Sequence, residues 1–198
     1  MKKFLFVVGA VILLSACGKD KKMIVMSKGP ADINADTKTI TSKDGSGHEE
    51  KEVNLSGDKN VYKLSTPAGE ASVELAGSGL FIVNAKNDTI IGAYQKYGDP
   101  KLAQNIVTQE KLKQQIDSMQ LLVENKNVSA ANRNFYIFPN TAVKISDNTQ
   151  SMVVGPYHRM RSAEKIDGKD PEVYRFYSIK EVRENIAKMI AMTVGEKR

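Results

Sequence analysis

From Asn60 onward the apolar positions either alternate or run in short blocks set off by turn residues. Val61 and Leu64, then Val73 and Leu75, flank Thr66-Pro67-Ala68-Gly69. Proline presets the first turn position and glycine accepts a positive φ, so this stretch predicts a β-hairpin. Leu80–Val83 and Asp88–Tyr94 follow, separated by Gly77-Ser78-Gly79 and Asn84–Asn87, and the four strands are expected to form an antiparallel meander. The glycine triplet lacks the helix and lysine that make a phosphate loop and is read as a turn.

The period then changes. Gly98-Asp99-Pro100 closes the strands, and Ile106, Leu112, Ile116, Met119, Leu122 and Val123 recur at three- and four-residue steps, which predicts an amphipathic helix to about Asn125 with one face on the sheet. After a polar loop to Asn134, short strands are expected at Phe135–Phe138, Ala142–Ile145, Met152–Val154 and Glu172–Tyr177, with a charged loop at Ser162–Asp170. Ser178-Ile179-Lys180-Glu181 has the form of a capping box, serine to the third amide and glutamate back to the first. Ile179, Val182, Ile186, Met189 and Ile190 would form the buried face of a closing helix to about Thr193.

Before Asn60 the pattern is thin. Met23–Met26 is a short strand or an apolar patch near a membrane surface, and Ser27–Asn60 is rich in Gly, Asp, Lys, Thr and Ser with few large apolar residues. Such a composition is expected to be a flexible tether, with at most edge strands at Thr37–Thr41 and Glu52–Leu55, so that the cooperative unit starts near Asn60. His48 falls in this tether beside consecutive glutamates that cannot converge on a metal without a turn, and is read as solvated.

The first residues set the compartment. Lys2 and Lys3 precede an apolar run, Phe4–Leu14, of 11 residues, about half of the roughly 20 needed to cross a bilayer. With small residues behind it, this is a signal peptide. Leu14-Ser15-Ala16-Cys17 resembles the lipobox of bacterial lipoproteins. The resemblance covers these residues alone. It implies diacylglyceryl transfer to the Cys17 thiol, cleavage before it, and acylation of the new amine with a chain such as palmitate. Gly18 stands where an aspartate would mark inner-membrane retention in well-studied Gram-negative bacteria, so the outer membrane is the expected destination in such a host, and periplasmic or surface exposure is left open. Lipidation would use the only cysteine, leaving none for disulfides, metal or nucleophilic catalysis.

Charge and candidate chemistry add little. The formal charge of +6 falls to +4 once Lys2 and Lys3 are removed, a surplus too small to argue for nucleic acid, and no nucleic-acid partner is expected. No Gly-x-Ser-x-Gly elbow occurs, and Asp147, Glu164, Asp167, Asp170 and Glu172 follow no metal-ligand spacing. No cofactor or metal is expected. One asymmetry stands out: the six arginines all lie from Arg133 onward, and Phe135–Tyr177 holds seven of the thirteen aromatics. These types suit recognition surfaces. If the chain after Gly155-Pro156 is extended, Tyr157, Arg159 and Arg161 project to one side and His158 to the other. An anion-binding edge is therefore expected at Tyr157, His158, Arg159 and Arg161, joined by Arg133 and Arg175 if the fold brings them near.

The sequence thus predicts a signal peptide at 1–16, a lipidated N-terminus and tether at 17–59, and a single α+β domain at 60–198, an antiparallel meander and further short strands packed with two amphipathic helices. The expected function is that of a non-enzymatic binding or assembly module held to the membrane through Cys17, with an envelope protein or anionic glycan as partner. The runner-up is an envelope hydrolase acting on glycan or peptide.

Overall fold

Two of the apolar runs, Met23–Met26 and Leu80–Val83, contain no polar residue at all, the signature of strands buried on both faces. In the computed structural model, which describes residues 20–95, 108–155, 165 and 168–195, they are the neighbouring strands β1 (Lys21–Ser27) and β7 (Gly79–Asn84), paired in parallel. The other strands before β7 are β2 (Ala31–Asn34), β3 (Thr39–Ser42), β4 (Glu49–Leu55), β5 (Lys59–Thr66) and β6 (Gly69–Ala76). After it come β8 (Ile90–Gln95), helix α1 (Gln109–Val123), β9 (Asn134–Ile137), β10 (Ala142–Ser146), β11 (Met152–Val154), β12 (Val173–Ser178) and helix α2 (Ile179–Gly195).

The class is α+β. The described strands form three four-stranded sheets, ordered β10-β7-β1-β4, β11-β12-β8-β9 and β2-β3-β5-β6. The first is the spine. From one of its faces Met23, Val25, Phe81 and Val83 pack against Ile40, Tyr62, Leu64 and Leu75 of the β2-β3-β5-β6 sheet. From the other, Ile24, Met26, Leu80 and Ile82 meet Ile90, Phe135, Tyr174 and Phe176 of the β11-β12-β8-β9 sheet. The outer face of that last sheet carries the helices, where Ile91 packs with Ile116, Val182 and Ile186. The layers are therefore sheet, sheet, sheet and helix pair.

Three expectations change. Residues 21–55 are not tether: they supply β1 to β4, and β1 pairs β7 on one side and β4 on the other. The composition misled because strands of a sheet with one buried face need only every second residue apolar. Ile33, Ile40, Val53 and Leu55 suffice once a core exists to receive them. Nor do β5 to β8 form a meander. The β5–β6 hairpin is present, with Gly69 at φ +105° closing the predicted turn, but β7 leaves for the spine and β8 for the β11-β12-β8-β9 sheet. Finally, α1 packs mainly on α2, and Ile116 is its one fully buried residue; the part of the predicted helix at 98–107 lies outside the described residues. The closing helix begins as expected: Glu181 N–H donates to Ser178 Oγ at 3.2 Å and Ser178 N–H to Glu181 Oε2 at 2.7 Å.

Candidate functional site

Strand alternation decides which of the expected site residues meet. On β12, Tyr174 and Phe176 point to the inner core, while Arg175 and Tyr177 share the outer face with Ile91, Ala93 and Gln95 of β8. Arg175 lies cross-strand from Ala93 and Tyr177 from Ile91. Across from them, α1 presents Lys111, Gln115, Ser118, Met119 and Leu122, spaced to form one helical stripe, and α2 adds Val182 and Met189. Between sheet and helices is a cleft of about 620 Å³, within the range of small-molecule sites. Ala93 makes the room, since a longer side chain at that point of the floor would fill it. Arg175 Nη1 donates to the Tyr177 hydroxyl at 3.3 Å along the cleft floor.

Arg133 belongs elsewhere. Its guanidinium stacks on the Tyr94 ring at 3.7 Å from the centroid, donates to the Tyr174 hydroxyl at 3.0 and 3.2 Å, and pairs with Glu172. Glu172 in turn accepts from Ser146 at 2.5 Å, from Ser151, and from Tyr174 at 2.9 Å. The cluster ties the starts of β9 and β12 to the turn between β10 and β11. Arg133 and Arg175 thus do not join, being on opposite faces of one sheet. Tyr157, His158, Arg159 and Arg161, the remainder of the expected edge, lie outside the described residues, as do Cys17, Glu164 and Asp167.

His48 is not solvated. Its side chain is 8% exposed, and Nε2 lies 2.7 Å from Glu50 Oε1. Lys86 Nζ, from the loop after β7, lies 2.7 Å from Nδ1. An ammonium has donors only, so in this contact Nδ1 accepts and Nε2 is left to face the glutamate. Burial pushes the Lys86 pKa below its ordinary 10.5, opposed by Glu181, Glu50 and Asp88 and reinforced by Lys28. Lys21 is lowered likewise by burial, with Asp58 opposing, and donates to the carbonyls of Asp58 and Leu75 at 2.7 and 2.8 Å. A buried ammonium of lowered pKa penalises the fold wherever it stays charged, and between that pKa and 10.5 the unfolded chain binds more protons. Stability to urea is thus expected to rise as pH climbs through that interval. Lys86→Met should flatten the rise in part, leaving the Lys21 contribution, and an unchanged slope would show that Lys86 is not desolvated.

What sequence reasoning missed was the cleft. The signal lay in α1, where the polar Lys111, Gln115 and Ser118 border the predicted buried stripe beside Met119 and Leu122, and in the short Gly92-Ala93 pair within β8. Among the described residues no group of three or more His, Cys, Asp or Glu side chains is placed to hold a metal, and no helix is long and apolar enough to cross a membrane. No protein-family model, curated protein or solved structure matches this chain.

Proposed function

We propose that this chain is a lipid-anchored envelope protein working as a binding module, with the cleft between the β8–β12 face and the helix pair as its ligand site. One observation carries the reading: the helix layer leaves an open space over a sheet whose inner face is fully packed, lined by apolar Ile91, Met119, Leu122, Val182 and Met189 together with polar groups from α1 and from the floor. The anchor rests on the lipobox resemblance at Cys17, and acylation by two or more chains would hold the protein at the bilayer lastingly. The expected outer-membrane address and the envelope partner follow from that resemblance. Tyr157, His158, Arg159 and Arg161 keep their place in the proposal as candidate anion contacts, while Arg133 leaves it because its charge is met by Glu172. Glycan hydrolysis by paired acids does not suit this cleft, since no carboxylate is among its described lining residues.

Two measurements test the proposal. Mass spectrometry of the mature N-terminus is expected to show an acylated Cys17; an unmodified cysteine removes the anchor. Purified envelope should retain the protein less when Ala93→Phe fills the cleft floor than when Lys63→Ala alters the distant β5. Equal retention of both would place the ligand site elsewhere.

A further inference from the structure

The cleft is polarised along its length. Helix α2 starts where Ile179 N–H donates to the Thr89 carbonyl at 2.9 Å, beside the start of β8. Near its far end Ile190 and Thr193 share a shallow cavity with Gln109 and Lys113, so α1 runs antiparallel to it. Val182 of α2 and Leu122 of α1 therefore close one end of the cleft together with Ile91. Lys111, in the first turn of α1, and Gln95, the last residue of β8, stand at the other end, with Arg175 on the floor between. The end at Ile91, Leu122 and Val182 is the more apolar, with Tyr177 beside it; the other carries Lys111, while Gln114, Gln115 and Ser118 line the wall between, and none of the described lining residues is acidic.

We infer that the cleft takes a single-chain amphiphile with an anionic head, its tail toward Leu122 and Val182 and its head against Arg175 and Lys111. This rests on the cleft being the ligand site, as proposed above. An apolar tail is stabilised by the area it removes from water. A carboxylate head matches the planar fork of a guanidinium, which a choline-type head cannot do. The volume of about 620 Å³ suits one such molecule and is small for a folded partner.

The test uses the chain from Gly18 on, which keeps all described strands and both helices. Dodecanoate, dodecyltrimethylammonium and dodecyl maltoside are titrated calorimetrically, each below its micellar concentration. Dodecanoate is expected to bind at one site per chain, at least about tenfold more tightly than the cationic probe, because a charge-assisted hydrogen bond changes affinity by roughly that factor or more. Arg175→Gln should weaken dodecanoate about tenfold while leaving the maltoside unchanged. Ala93→Phe should abolish binding of all three, and should it fail to fold, Ser118→Trp, on the exposed roof of the cleft, should do the same. Equal affinity for anionic and cationic probes, or no saturable binding of dodecanoate, overturns the inference. If dodecanoate fails to bind while Ala93→Phe still lowers retention by the envelope, the cleft stands as the site and only the ligand class falls. If dodecanoate binds and neither cleft-filling variant affects it, the site itself is misplaced and the inference falls with it.

Discussion

A chain begun at Asn60 is expected not to fold. It lacks β1, the strand gripped between β7 and β4 in the middle sheet, along with the whole of β2, β3 and β4. Met23, Val25 and Met26 are fully buried and Ile24 nearly so. At ~1.5–3 kcal/mol for each buried side chain, their loss removes about 6–12 kcal/mol, as much as the whole stability of an ordinary domain. It would also expose Leu80, Phe81, Ile82 and Val83 on both faces of β7. Heating should give no cooperative transition for 60–198 and a single one for the chain from Gly18, with dye binding to apolar surface only in the shorter chain. A sharp melt of 60–198 would mean that β1 only decorates a unit complete without it.

The second large effect is expected at Gly92. It faces Phe176 across the β8–β12 ladder, and a Cβ built there would lie 2.0 Å from the ring's Cε1 and 2.3 Å from Cδ1. Glycine inside a strand often marks such an approach. The ring cannot easily withdraw, since Phe176 is 1% exposed and its ring packs against Phe135 with centroids 6.3 Å apart. Gly92→Ala should therefore lower stability by about 3 kcal/mol, at the upper end of overpacking effects. Phe176→Leu costs stability too, but the double variant should lose less than the sum of the two. Strict additivity in urea unfolding would show that the ring is not what excludes the methyl group.

Local chemistry was readable and distant pairing was not. The Ser178–Glu181 box and the Thr66–Gly69 turn are settled within four residues each, by side-chain reach and by φ at one glycine. The parallel pairing of Met23 with Phe81 joins residues far apart in the chain, and nothing in either segment names the other. Even so, both runs advertise double-sided burial by having no polar residue, a cue that weighs more than the polar stretch between them. Arg175, a candidate by its residue type, lines the cleft. Arg133 is a candidate on the same ground, but its partner Glu172 stands 39 positions away. His48 likewise meets Lys86 only because β4 and the loop after β7 come together in the fold.

The place of β1 has a mechanical consequence. Cys17 precedes Lys21, the first residue of the strand, by four positions, a reach of at most about 14 Å. A pull transmitted through the proposed anchor at Cys17 and directed along β1 would enter the domain at the N-terminal end of that strand. The strand is hydrogen-bonded along both edges, antiparallel to β4 from Lys21 to Ser27 and parallel to β7 from Lys21 to Met26. Those bonds lie across the direction of pull, so the two ladders share the load together instead of opening one rung at a time.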